Sequence, residues 1–281
     1  MRRLPGVDLR PSRHPPPPPI PPAEVLADLL PPDVTGPAGL RHEAARPVWH
    51  GVAWSRLGRA DLAWAHWDRV RLPALQPWIA AERGRVLREF GLHARAEAIE
   101  WPALLDADDP VDAAMLRISL AADAVGLGDL DRARRRLEAA RDAVTALPDG
   151  ARAARQRLRA AWVGVEVAAL GGEPLPTARL PVWDEATGAP RQPADAAYGS
   201  RFHAAKGLLF GAIAHEDPRL LDAAADLAPP VIAWAVQLAR ADLHGAADAH
   251  DLARRAWAEV VPPPGFDAEV AATPTATRLA G

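Results

Sequence analysis

The chain has 281 residues, about half of them apolar, a formal net charge of -3 and no cysteine. That length and apolar content support a substantial buried core, while the small charge gives no long-range field for nucleic acid or an anionic membrane, and disulfide and thiolate chemistry are excluded. Alanine dominates the apolar half with 63 residues, which favours closely packed helices; no run alternates β-branched or aromatic residues with polar ones as a strand would. Lys206 is the only lysine, so nearly all the positive charge is arginine, a bias that a GC-rich coding sequence produces without functional demand. No stretch approaches the roughly 18 to 20 apolar residues of a membrane span. Proline and charge follow Met1-Arg2-Arg3 where a secretory signal would carry its apolar run, and the expected location is the cytoplasm.

Residues 1–40 are proline-rich, with the run Pro15 to Pro19 and the pairs Pro21-Pro22 and Pro31-Pro32, and are expected to be extended or disordered. Residues 23–30 can form a short amphipathic helix. The segment reads either as a tethered tail or as a docking peptide for a partner or for the chain's own groove.

Residues 41–176 read as helix pairs punctuated by an apolar residue and glycine: Leu57-Gly58, Phe90-Gly91, Leu127-Gly128 and Leu170-Gly171. Seven residues before each glycine stands a small residue (Gly51, Gly84, Ala121, Gly164), and five after the first three stands an alanine (Ala63, Ala96, Ala133). Small residues at equivalent places let paired helices approach closely, and the glycines are natural helix C-caps. The fourth pair begins over 158–170 but meets Pro174 and Pro176 where its second helix should start. A linker is expected over 177–199, degenerate helix pairs over 200–262, and a disordered tail over 263–281.

The small residue, the apolar residue three on, Leu-Gly or Phe-Gly, the alanine five further and the large apolar residue four beyond resemble the tetratricopeptide repeat, a helix-turn-helix of about 34 residues. Gly51, Trp54, Leu57-Gly58, Ala63 and Trp67 carry this in the first unit, and Ala121, Ala124, Leu127-Gly128, Ala133 and Leu137 in the third. The second unit departs with Glu100 at the large apolar position, and the fourth with Pro176 in place of the alanine. The resemblance implies an all-α right-handed superhelix of antiparallel pairs whose first helices line a concave groove, used by such proteins mostly to hold a peptide or a partner helix.

On that geometry the candidate partner-binding residues are Trp49, Val52, Arg56, Trp78, Arg85 and Arg88. Arg85 and Arg88 lie one turn apart with Trp78 two turns before, a spacing able to clamp a peptide carboxylate; alternatively Arg85 pairs with Glu82 or Glu89 on a solvated face. Most of the ten tryptophans sit at packing positions, leaving Trp78, Trp101 and Trp183 near turns or linkers. Consecutive arginines 134–136 point in different directions among Asp129, Asp131 and Glu138, so a nucleic-acid patch is not expected. The histidines lack metal spacing, and no phosphate loop, nucleophile elbow or calcium loop is present, so no metal, cofactor or catalytic residue is expected. The leading expectation is a protein-binding scaffold without enzymatic activity, its protein or peptide partner unknown. The alternative is an enzyme or small-molecule sensor with a pocket between the repeats and the helices after residue 200, near His203, Lys206 or Trp183.

Overall fold

The computed structural model describes residues 19–21, 46–192 and 200–280, so the helix expected over 23–30 lies outside the described residues. Among the described residues the chain is all-α apart from one two-stranded ribbon. Three helix pairs come first: α1 (Arg46–Arg56) with α2 (Ala60–Trp67), α3 (Gln76–Glu89) with α4 (His93–Leu105), and α5 (Pro110–Gly126) with α6 (Leu130–Thr145). A longer helix, α7 (Ala151–Gly171), follows. After it come strands β1 (Val182–Asp184) and β2 (Ala189–Arg191), then α8 (Arg201–His215) with α9 (Pro218–Leu227), and α10 (Pro230–His244) with α11 (Ala249–Ala258). No described helix is long and apolar enough to cross a membrane.

The glycine punctuation does what its spacing predicts in the first three pairs. Gly58, Gly91 and Gly128 have φ of 77°, 78° and 71°, and the residue after each donates its N–H to a carbonyl five residues back (Arg59 to Trp54, Leu92 to Leu87, Asp129 to Ala124). At the fourth unit the cap moves by one: Gly171 stays helical and Gly172 adopts φ 65°. Proline does not end α4, which continues through Pro102 to Leu105.

The small residues seven before these glycines are contact points between the helices of a pair. A Cβ built on Gly51 falls 2.3 to 2.7 Å from the indole of Trp67, and one on Gly84 falls 2.0 Å from the Glu100 carboxylate. Ala121 and Leu137 share one buried cluster. In each case the incoming side chain lies sixteen residues along the chain, so three units use one register.

Where the fourth pair should have its second helix, residues 173–192 pack instead. Leu175 and Leu180 join Leu158, Trp162 and Val165 of α7, and the carbonyl of Pro181 comes so near Gly211 that a Cβ there would lie 2.7 Å from it. The linker expected over 177–199 thus contains a ribbon, with Trp183 opposite Pro190. The tail differs too: residues 263–281 were expected to be disordered, yet α12 (Asp267–Ala271) and α13 (Pro274–Ala280) form and bury Val270 and Leu279.

The pairs do not fan into an open array. The first helices follow one another in contact, α1 to α3, α5, α7, α8 and α10, and α10 touches α1 again. Six inner helices therefore form a closed ring, with five outer helices and the 173–192 segment around it. Val261 seals the ring by donating its N–H to Gly58 O at 2.7 Å and accepting from Ala60 N at 3.1 Å. Phe90 meets Trp257 edge-on at 5.6 Å, and Arg95 forms a forked pair with Glu269 at 2.9 and 3.0 Å.

Replacing Gly51 with alanine tests the shared register. Helix propensity alone favours alanine by about 1 kcal/mol, but a methyl inside a buried, rigid indole forces the pair apart. Chemical denaturation of Gly51→Ala is expected to show a net loss of about 2 to 4 kcal/mol.

Candidate functional site

The inner helices surround a partly open cavity of about 880 Å³. Trp49 and Trp78, near the N-terminal ends of α1 and α3, meet edge-to-face at 5.0 Å and form part of an apolar wall with Met115, Ile118 and Trp234. About two turns further along α1 and α3 come Arg56, Arg85 and Arg88. The longest contribution is from α7, where Arg152, Gln156, Arg159, Val163 and Glu166 recur every three or four residues and so share one stripe.

Five of the six partner-binding candidates line this cavity: Trp49, Arg56, Trp78, Arg85 and Arg88. Val52 does not. It is 1 % exposed and belongs to the packed core between the first two pairs. The carboxylate clamp is not preformed either, because both arginines already have acidic partners. Arg85 donates to Glu82 at 2.9 Å, to both oxygens of Glu89 at 2.8 and 2.7 Å, and to Ser55 Oγ. These are the pairings open to a solvated face, but here they are buried, and burial with two carboxylates makes Arg85 a fixed part of the wall.

Arg88 leads outward to a group that the repeat pattern marks as an exception. Its Nη1 donates to Glu100 Oε2 at 2.8 Å and to Asp123 Oδ1 at 3.1 Å, and both acids are fully buried. Glu100 reaches inward from α4 because Gly84 leaves the space. Burial drives the Glu100 carboxyl up to about 8; Arg88 opposes this and Asp123 adds to it. Arg88 is itself held above the usual arginine range by these two acids. Burial thus favours the neutral form of Glu100 beside Arg88, which lessens the charge gathered there. His93, seated over Gly126, brings Nδ1 to 3.9 Å from Asp123 and also lines the cavity.

Further cations line the same cavity beside Arg85 and Arg88. Arg159 donates to Gln156 Oε1 and Ser119 Oγ, both at 3.1 Å, and forms no ion pair among the described residues. Burial and the nearby Arg88 lower it to about 10. Arg56 is lowered to about 9, chiefly by burial, and Lys206 is lowered for the same reason. Phe202 gathers three of these cations: Arg56 at 4.7 Å, Arg85 at 5.3 Å and Lys206 at 5.7 Å from its ring centre. His203 lies well below the usual histidine range through burial and the charges of Arg56, Arg155, Arg159 and Lys206, so it is neutral at physiological pH. Its Nδ1 is 2.8 Å from Ser200 Oγ, the N-cap of α8. Beside it, Trp162 stacks on Phe210 at 5.7 Å, and its buried Nε1 has no acceptor among the described residues.

Of the residues named for a pocket between the two halves, His203 and Lys206 line the cavity, whereas Trp183 packs against α9 under Arg219 at 5.0 Å. Glu100, Asp123, His93, Arg159 and Glu166 were not picked out as site residues from the sequence. Glu100 carried a visible signal, an acid opposite a glycine at an apolar repeat position; Arg159 and Glu166 acquire their setting only when α8 and α10 complete the ring. Comparison with protein-family models, curated proteins and solved structures finds no match.

The buried acid pair carries a pH signature. Glu100 binds its proton more tightly in the folded chain (about 8) than at its ordinary value of 4.5. Its stabilising effect is therefore complete below about pH 4.5 and is lost as pH rises through about 8, by a few kcal/mol at about 1.4 kcal/mol per tenfold change in proton affinity. Glu100→Gln, which imitates the protonated acid, is expected to flatten the decline in melting temperature between pH 5.5 and 8.5. A variant curve parallel to wild type would assign that decline to other groups.

Proposed function

We propose that the chain is a small-molecule-binding protein whose central cavity takes an amphipathic anion, a carboxylate or phosphate ester on an apolar or aromatic body. The observation that carries this reading is Lys206 and Arg159 in one aromatic-walled cavity, neither with an ion-paired acid among the described residues. Glu89 and Glu166 offset the burial of Lys206, and Glu82 and Glu100 that of Arg159, only in part, and a bound anion would complete that compensation. The volume lies within the range of about 300 to 1,000 Å³ common for ligand pockets. Trp162 Nε1 adds a donor with no internal acceptor, and the Trp49–Trp78 wall suits the apolar portion.

This reading is preferred to a peptide groove because the faces expected to line an open concave surface here share one central cavity whose wall α8 and α10 complete. It assigns binding and no reaction. The tetratricopeptide-like character of the first three pairs is retained as part of the proposal, supported by the common sixteen-residue register.

Lys206 provides the test, since it has no hydrogen bond or ion pair within the fold among the described residues. If it is retained for a ligand, Lys206→Met is neutral or stabilising in anion-free buffer. The same variant is expected to weaken binding of an aromatic carboxylate at least tenfold in calorimetric titration, with the matching carboxamide binding poorly to wild type. A loss of more than about 1 kcal/mol of stability, together with equal binding of acid and amide, would make the lysine structural and defeat the proposal.

A further inference from the structure

A second feature lies outside the cavity, on the flank of the first helix pair. The carbonyl of Pro19 accepts two hydrogen bonds there, from Trp54 Nε1 at 2.8 Å and from His66 Nε2 at 2.9 Å. A carbonyl can only accept, so His66 carries its proton on Nε2. His66 is 4 % exposed, with His50 edge-on to it at 5.2 Å, and its ring makes no other hydrogen bond among the described residues. Pro21, two residues after Pro19, is buried as well.

Two donors converging on one carbonyl beside an indole match the chemistry of a polyproline II segment. Such a segment has no internal hydrogen bonds, so its carbonyls are free, and its prolines bring no N–H that would need an acceptor. The run Pro15 to Pro19 ends at the bonded carbonyl. Neither Trp54 nor His66 lines the central cavity, so this site is independent of the ligand proposed there.

We propose that the Trp54–His66 flank is a polyproline-recognition site, occupied by the chain's own residues 19–21 and able to exchange that segment for a proline-rich segment of another protein. The occupant is tethered through residues 22–45 and competes in cis. An occupant linked to its site within the same chain can act at an effective concentration on the order of millimolar, enough to hold a site of micromolar affinity mostly closed.

The experiment uses the full-length chain in two forms, wild type and a variant with residues 15–21 replaced by glycine and serine. The probe is a fluorescent peptide of residues 13–23, followed by anisotropy. The replaced chain is expected to bind the peptide at least tenfold more tightly than wild type. Within it, Trp54→Phe, which keeps the packing and removes the N–H, is expected to weaken binding about fivefold, the scale of one hydrogen bond; circular dichroism checks that it is folded. His66→Gln, which keeps a donor near the same place, is expected to retain more binding than His66→Leu. Equal peptide binding by wild type and the replaced chain, no binding by either, or indifference to Trp54→Phe would each overturn the proposal. A wild-type dimer that the peptide dissociates would give the site to a second copy's segment and overturn the cis assignment.

Discussion

The structure depends on how closely an inner and an outer helix approach at one repeated point. Gly51 admits the ring of Trp67, Gly84 admits the carboxylate of Glu100, and Ala121 packs with Leu137. A bulkier residue at any of these places would push its pair apart, because the incoming groups are buried and have nowhere to go. With the first three pairs built to the same spacing, each can stack on the last, and α7, α8 and α10 then complete the ring through contacts of their own.

The same contact explains the charge inside the molecule. At two of the three points the incoming side chain is apolar and the contact is ordinary core. At Gly84 it is an acid, which extends from an outer helix to meet Arg88 on the cavity wall. Two fully buried carboxyls are tolerable there because one guanidinium donates to both and burial favours the neutral form of Glu100. Arg159 and Lys206 are offset only in part, by Glu82 and Glu100 and by Glu89 and Glu166 respectively, and neither has an ion-paired acid among the described residues. This incomplete compensation underlies the reading of the cavity as an anion site.

The sequence reading succeeded with features that act locally and missed those that depend on closure. Gly58, Gly91 and Gly128 announce their helix ends because few other residues adopt positive φ without strain. Gly171 misled by one position, since two adjacent glycines leave the cap to be chosen by packing, and Gly172 took it. Pro174 and Pro176 correctly marked the missing outer helix, but not that 173–192 would cover α7 in its place. The residues 263–281 carried no periodic signal; α12 and α13 form because Val270 and Leu279 find apolar surface on other elements. Arg85 was foreseen on the inner face together with its pairing to Glu82 and Glu89, whereas its burial was not.

By itself the sequence determined the all-α class, the pairing of helices over the first three units and the register of their contacts, because these follow from turn chemistry and from spacing within about forty residues. Only the tertiary structure decided that the pairs close into a ring. Closure rests on contacts such as Val261 with Gly58 and Glu269 with Arg95, between residues far apart in the chain. No local period encodes such contacts. Once they form, the stripe on α7 and the polar faces of α8 turn toward the arginines of α1 and α3, and faces that would otherwise meet solvent become the wall of a single cavity.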